Sequence, residues 1–519
     1  MKRSNLFKFF LLLLALILGL LCQPSVLFAN GLPFLAWAAY IPLFLLIDRT
    51  SLPFSFIYGF IYGFIFYFCL CWWFSSFGII ALFFVAFLYA FYYGALFFLI
   101  KCLRKLLPEK YSSAYCWLRV MFLLAFDFFR TRGIFAFSYG ILGYSQWRNS
   151  AFLHFASFFG VHGVSFLLYS FNSCMAKVIS EKNIRSNLMM LSLCLSLISA
   201  IFISNSFSLY KREGDENGRN LSFALIQNAS SAPSANISDY QNDVALLKKL
   251  SDEALTIAPD TELVVWPETA VVPDILYHHS HDKDKKRHEL SESVLTYVAS
   301  KNASFIIGNN FSDSAGNHNA ALFFSPESEV KVSLKNHLVP FTEYWPPFLD
   351  YAFFDGIKNR LNYDFFLPGD KIELFDFNGI SISVPICFED SFPSLIKKMK
   401  NLGAELFVVI SDDAWAKSSA AQNIHCAMGC FRSAEFAVPS LRGTIDGKTC
   451  VIDRHGMIVS ELETGVDGFL LGKIEVGDGS KTLFSLIGEL PLCIISFSCL
   501  SLLLILLLQF AKVKLYDRR

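Results

Sequence analysis

The chain has 519 residues, 56 of them phenylalanine, a mean hydropathy of +0.45 and only 17% charged residues, too apolar a composition for an ordinary soluble protein. Its 44 basic and 44 acidic side chains cancel, which leaves no electrostatic footprint for nucleic acid.

A spanning helix needs about 20 mostly apolar residues. The first 210 residues supply seven candidates, near 7–28, 33–48, 54–75, 78–100, 115–130, 153–176 and 187–207, of which the second and fifth are short, and an eighth runs from 490 to 510. Basic residues mark alternate turns: Lys2, Arg3 and Lys8, then Arg49, then Lys101, Arg104, Lys105 and Lys110, then Lys177, Lys182 and Arg185, and finally Lys512, Lys514, Arg518 and Arg519. These turns are expected to be cytoplasmic. The opposite turns near 23–32 and 76–77 carry no lysine or arginine, and only the one after the fifth segment does, with Arg130, Arg132 and Arg148. A basic start followed by an apolar run also suits a signal peptide. No small-x-small cleavage site follows, however, and Leu21 precedes Cys22 where a lipoprotein signal would carry a small residue. An uncleaved helix is therefore expected. The expected organisation is a seven-helix membrane domain over 1–210, an outer domain over 211–485, which in a two-membrane bacterium would face the periplasm, and a spanning helix with a basic cytoplasmic tail over 486–519.

The outer segment alternates short β-rich runs with helical ones. SFALIQ (222–227), ELVVWPE (262–268), SFIIGNN (304–310), AALFF (320–324), SISVPIC (381–387), ELFVVISD (405–412) and KTCVID (448–453) read as strands, and 239–256 and 421–437 as helices. Such alternation indicates an α/β layered fold. The stretch HHSHDKDKKRHEL, with His278, His279, His281 and His288, reads as a solvated loop, and its histidines lack the spacing of a zinc site. No metal and no cofactor is expected.

Three residues at strand ends carry chemistry: Glu268 in LVVWPETA, Lys335 in VSLKNHLVPFTEYWPP and Cys387 in ISISVPICFED. A free thiol has a pKa of roughly 8.5, so a carboxylate that takes its proton as attack begins makes it a nucleophile at neutral pH. Glu268 is the candidate proton acceptor and Cys387 the nucleophile. Lys335 is the candidate cation for the oxyanion that forms when the thiol attacks a carbonyl. Glu343 and Glu389 lie eight residues beyond Lys335 and two beyond Cys387, close enough in sequence to approach the ammonium and fix its charge.

WPE at 266–268, KNHLVPFTEYWP at 335–346, Cys387-Phe388-Glu389, SDDAW at 411–415 and, in the membrane half, LGYSQW at 142–147 stand in one order along the chain. With these motifs the chain resembles the carbon–nitrogen hydrolase (nitrilase) superfamily and, within it, the membrane-embedded apolipoprotein N-acyltransferase family. The resemblance implies a four-layer α-β-β-α sandwich attached to about eight spanning helices, and a Glu268–Lys335–Cys387 triad. It also implies supporting roles for Glu343 and Glu389 and a place for Trp415 near the pocket mouth. Departures from the family pattern fall at Gln227-Asn228-Ala229, at Phe388 in place of tyrosine, at Asp412 in place of asparagine, and at Val438 and Ile445 in place of arginine and asparagine. Tyr240 is a stand-in for an absent tryptophan. These departures bear on the second-substrate pocket, not on the triad.

Residues 341–366 hold ten aromatic side chains, among them Tyr344, Trp345, Phe348, Phe353, Phe354, Phe365 and Phe366. They suit either core packing or a lid that dips into the outer leaflet. Of the 13 cysteines, Cys387, Cys426, Cys430 and Cys450 lie in the outer domain, and the sequence does not pair the last three.

The residues alone argue for a thiol acyl-enzyme in a membrane-tethered domain. The resemblance implies a phospholipid acyl donor, a diacylglyceryl-modified apolipoprotein acceptor, a two-step transfer and a location in the bacterial inner membrane. A monomer is the expected state. A membrane-bound amidase in which water resolves the thioester, and a silent membrane binding protein, are the alternatives.

Overall fold

The computed structural model describes residues 2–108, 111–180, 192, 195–205, 218–229, 236–326, 328–347, 350–351, 356, 365–477 and 480–516. The chain forms two compact units, one of residues 1–213, 418–427 and 486–519 and the other of residues 214–417 and 428–485.

The first unit is helical. Among the described residues four helices are long and apolar enough to cross a membrane, Ser4–Leu21, Leu52–Leu70, Ile79–Leu106 and Ser150–Ser180. The last is broken at Gly160, whose φ of +65° is not helical. Helices Ser112–Arg130 and Leu490–Tyr516 accompany them, as does the shorter Leu195–Asn205; of the seventh expected segment, residues 187–191, 193–194 and 206–207 lie outside the described residues. The second expected segment is not one spanning helix. Proline at the start of each piece divides it into a 3-10 turn, Pro33–Trp37, and a helix of nine residues, Ile41–Arg49.

Close helix approach depends on glycine. A Cβ on Gly59 or Gly63 would lie 2.4 Å from the carbonyl oxygen of Tyr93 or Tyr89, so this small-x-x-x-small pair lets Leu52–Leu70 pack backbone to backbone on Ile79–Leu106. Deeper in, Asp127 and Arg130 form a buried ion pair at 2.9 Å. Tyr169 donates to the Asp127 carboxylate at 2.9 Å, and Arg130 donates to the Tyr139 carbonyl at 2.9 Å. Arg132 pairs with Glu489 at 2.7 Å, so Arg130 and Arg132 are both neutralised in that turn. The LGYSQW run is a buried 3-10 turn, Leu142–Gln146, that donates from Gln146 to the Pro33 carbonyl at 2.9 Å and from Trp147 to the Asn30 carbonyl at 3.2 Å.

The second unit contains two six-stranded sheets. The strands are β1 (Arg219–Gln227), β2 (Leu263–Val265), β3 (Ser304–Ser312), β4 (Asn317–Ser325), β5 (Ser328–Leu334), β6 (Leu374–Phe377), β7 (Ile380–Ser383), β8 (Leu406–Asp412), β9 (Ser440–Ile445), β10 (Cys450–Ile452), β11 (Ile458–Glu461) and β12 (Gly468–Val476). The first sheet has the order β12-β1-β2-β3-β4-β5 and the second β6-β7-β8-β9-β10-β11. Read in these directions both follow one pattern: an antiparallel pair, two parallel pairs, then two antiparallel pairs. The domain is therefore two like halves, which the sequence does not reveal. Inward side chains of both sheets form one core, with Phe223, Leu225, Val265, Ile306 and Phe323 facing Phe375, Ile382, Val408, Ile410 and Leu441. Helices Ile237–Ile257 and Lys285–Ala299 cover the outer face of the first sheet through Leu247, Leu250, Leu290 and Val294. Helix Pro393–Asn401 and Phe436 cover the second. This is the α-β-β-α sandwich.

The histidine-rich stretch is not a loop. It holds helix Ile275–Ser280 and the start of Lys285–Ala299, capped by Asp274 and Asp284, whose carboxylates accept from the amides of Tyr277 at 3.0 Å and Arg287 at 3.2 Å; such caps satisfy amides that a helix start leaves open. In the aromatic segment, Phe348, Phe353 and Phe354 lie outside the described residues. Its described ends meet where the Phe366 amide donates to the Glu343 carbonyl at 2.7 Å.

Candidate active site

The triad residues stand at strand ends. β2 stops at Val265, and Pro267, which has no N–H to give the ladder, lets the chain bulge before it rejoins β3 through Val271 and Asn309. Glu268 sits on this bulge. Gly308 of β3 makes the bulge possible, because a Cβ there would lie 2.2 Å from the Pro267 carbonyl oxygen and 2.5 Å from the Glu268 Cα. Lys335 follows β5 directly. Cys387 follows β7 after Pro385 and opens a 3-10 turn, Cys387–Ser391. Both Cys387 (φ +53°) and Thr269 (φ +50°) occupy the left-handed region, which non-glycine residues enter at a cost of about 1–3 kcal/mol where the surroundings hold them.

The three side chains are buried. Lys335 Nζ lies 3.0 Å from Glu268 Oε1 and 2.7 Å from Glu343 Oε1. Asn319 Nδ2 donates to the same two oxygens, at 2.7 and 3.2 Å, and the Asp412 amide donates to Glu268 Oε2 at 2.8 Å. Glu343 is held in turn by the Val339 amide at 2.7 Å. Burial alone would pull the proton from Lys335, but Glu268 and Glu343 hold its pKa well above the usual lysine value. Burial pushes the Cys387 thiol well up, the Glu268 carboxylate pushes it further, and Lys335 opposes both. The resting residue is thus a thiol beside a fixed cation and a base, and its nucleophilicity depends on proton removal during attack.

Glu389 does not contact the ammonium. Its Oε1 accepts from the amides of Asn336 at 2.7 Å and His337 at 3.0 Å, and its Oε2 accepts from Ile386 at 2.8 Å, so it ties the Lys335 loop to the Cys387 turn. Burial raises its carboxyl to about 7 against the pull of those amides and of the Lys335 charge. Trp415 is half-buried in the 3-10 turn Ala414–Ala416, directly after the β8 end. Residues not singled out from sequence complete the arrangement. Pairing of Ile386 with Ile410 sets Cys387 beside Ser411, and Ser411 donates to Asp413 Oδ1 at 2.9 Å. Asp413 and Asp390 share the buried Arg442 guanidinium, at 3.4 and 2.5 Å. Asn319 and Arg442 sit within strands where only the folded register shows their partners. Among the described residues no cluster of His, Cys, Asp or Glu is arranged to hold a metal ion.

Residues 10–174 match the apolipoprotein N-acyltransferase N-terminal domain, and residues 223–482 match the carbon-nitrogen hydrolase family. The chain is 33% identical to apolipoprotein N-acyltransferase 1 of Treponema denticola over 94% of each chain. It is 31% identical to apolipoprotein N-acyltransferase 1 of Treponema pallidum and 26% identical to the apolipoprotein N-acyltransferase of Borreliella burgdorferi, over 91% of each chain in both cases. Likeness along nearly the full length, over a helical unit and a sandwich with a buried Glu–Lys pair beside a cysteine, shows that the chain belongs to the apolipoprotein N-acyltransferase family.

Proposed function

We propose that the protein moves an acyl chain from a phospholipid, through a thioester on Cys387, to the free α-amino group of a diacylglyceryl-cysteine at the start of an apolipoprotein. The observation that carries this reading is the buried Lys335 ammonium, 3.0 Å from the Glu268 carboxylate and electrostatically coupled to the Cys387 thiol.

In the first step Glu268 takes the thiol proton as sulfur attacks the ester carbonyl. The carbonyl π pair moves to oxygen, where the Lys335 charge stabilises it. Collapse breaks the C–O bond, and the departing lysophospholipid oxygen takes the proton from Glu268. In the second step the acceptor amine attacks the thioester, its proton passes through Glu268 to sulfur, and an amide is released. Glu343 and Asn319 hold the ammonium and the base in place, Glu389 holds the two loops together, and Trp415 lines the approach.

Both substrates carry acyl chains that leave a bilayer at a cost of about 0.8 kcal/mol per methylene, which accounts for the apolar helices. We place the catalytic domain, residues 211–485, on the periplasmic side of the inner membrane, between a seven-helix domain over 1–210 and a last crossing within 486–519, and the working enzyme as a monomer. The alternation of basic turns and the neutralisation of Arg130 and Arg132 by Asp127 and Glu489 support that orientation.

Intact mass measurement of the protein and its Cys387→Ala variant after incubation with phospholipid tests the reading. One acyl chain on the native protein alone, lost to a diacylated lipopeptide as amide, is expected. An equal adduct on the variant, or release of free fatty acid with no amide, would overturn it.

A further inference from the structure

The side chains of β8 alternate. Leu406, Val408 and Ile410 face the first sheet, while Phe407 and Val409 face the covering helix. The same alternation turns Asp412, the last residue of β8, toward the first sheet, the side from which Glu268 and Lys335 enter. The like halves make the point again: β2 and β8 are the middle parallel strands of their sheets, and Glu268 and Asp412 are the carboxylates at their ends. The Asp412 amide reaches Glu268 Oε2 at 2.8 Å. Its carboxylate Oδ1 accepts from the Ala414 amide at 3.0 Å, no donor among the described residues reaches Oδ2, and the side chain is half-buried.

The second step of the proposed transfer has a further requirement, which the aspartate that this chain carries at 412 in place of the family's asparagine is placed to serve. The acceptor's α-amino group, with an ordinary pKa of about 7.7–8.0, arrives as an ammonium and has no lone pair with which to attack. Glu268 must be ionised when attack begins, because it carries a later proton to the departing sulfur. We propose that Asp412 binds the acceptor ammonium through Oδ2 and removes its first proton, which makes it a second catalytic carboxylate of the transfer step. The proposal rests on the acyl-transfer reading above.

The protons and electrons balance. An ammonium N–H bond breaks and its proton passes to Oδ2. The freed lone pair forms the C–N bond while the carbonyl π pair moves to oxygen. A second proton leaves nitrogen for Glu268 and passes to sulfur as the C–S bond breaks, and Asp412 returns its proton to water. A carboxylate with an ordinary pKa would be too weak a base for this task. Burial first, and then the Glu268 carboxylate, raise Asp412 to about 8, which matches the ammonium it would serve. Glu268 from the first sheet, Asp413 beside it and Asp446 in the turn after β9 raise it, and the Lys335 ammonium stands beyond Glu268. The Asp412–ammonium pair needs both partners ionised, so acceptor binding peaks near the Asp412 value and weakens on either side of it.

Asp412→Asn tests the proposal, since asparagine keeps an oxygen for the Ala414 amide. Acyl-enzyme is formed from phospholipid in both proteins, and its loss to a diacylated lipopeptide or to hydroxylamine, which is uncharged at neutral pH, is followed by intact mass from acidic to alkaline conditions. Loss to the lipopeptide is expected to slow by at least about tenfold near neutral pH and to recover as the amine sheds its own proton, while loss to hydroxylamine changes little. Equal slowing with both nucleophiles, or no slowing with either, would overturn the proposal. Failure of the native protein to form acyl-enzyme would instead overturn the acyl-transfer reading, and the proposal with it.

Discussion

Gly308→Ala adds one methyl group to a residue that bears no catalytic atom, yet it is expected to disable the base. The new Cβ would lie 2.2 Å from the Pro267 carbonyl oxygen, 2.5 Å from the Glu268 Cα and 2.8 Å from the Thr269 amide nitrogen, where ordinary contact begins at 3.4 Å. All three atoms are backbone, so no side chain can swing aside, and the bulge must move by about 1 Å, a misplacement of the size that costs about a hundredfold in rate. Three bonds to the Glu268 carboxylate, at 2.7, 2.8 and 3.0 Å, would lengthen together. Overpacking of this kind costs about 1–3 kcal/mol of stability, so the variant should still fold. The assay is single-turnover acylation of Cys387 by phospholipid, followed by intact mass, with the thermal midpoint in detergent as the check on folding. Gly443→Ala is the control, because its Cβ would meet only Val265 Cγ1 at an ordinary 3.4 Å. A folded Gly308→Ala protein that acylates as fast as the control would refute the reasoning.

Glu389 couples stability to pH. It keeps its proton up to about pH 7 in the folded protein, against a usual value of 4.5, so between those values the native state binds more protons than the unfolded chain. Stability then declines as pH rises through that window, by roughly 3 kcal/mol. The thermal midpoint in detergent should show the decline, and Glu389→Gln should flatten it; an unchanged slope in the variant would count against the assignment. In the helical unit, Asp127→Asn strands the Arg130 charge and should cost about 3–5 kcal/mol, while the double change Asp127→Asn with Arg130→Met should recover part of it. A thermal midpoint unmoved by the single change would show that the pair does not hold the helices.

The strands that sequence reveals are those whose apolar residues run unbroken, such as β3, β4 and β8. β9 and β12 escape notice because charge and glycine interrupt them: Arg442 reads as surface until Asp390 and Asp413 are found beside it, and Gly472 and Lys473 divide β12. The helices over 237–257 and 419–436 begin and end within two residues of the expected 239–256 and 421–437. At the site, the spacing of Lys335 and Glu343 suggests their contact, and the structure shows it at 2.7 Å. The same spacing argument places Glu389 within the field of Lys335 but misses the backbone amides that take up its oxygens, which leave no mark in a string of side chains. Asn319 and Gly308 are invisible for a related reason: one matters through a partner 51 positions away, the other through the space its missing side chain leaves.

Lys335 has a carboxylate on either hand, Glu268 and Glu343, and only the first of these changes charge in the proposed reaction. As the thiol proton reaches Glu268, that anion disappears and another appears on the substrate oxygen, so the lysine exchanges one negative neighbour for another. The net charge enclosed by the site stays constant through attack and collapse. No counterion has to enter or leave as the thiol attacks the donor ester and the lysophospholipid departs, so this step can proceed in a site closed to salt.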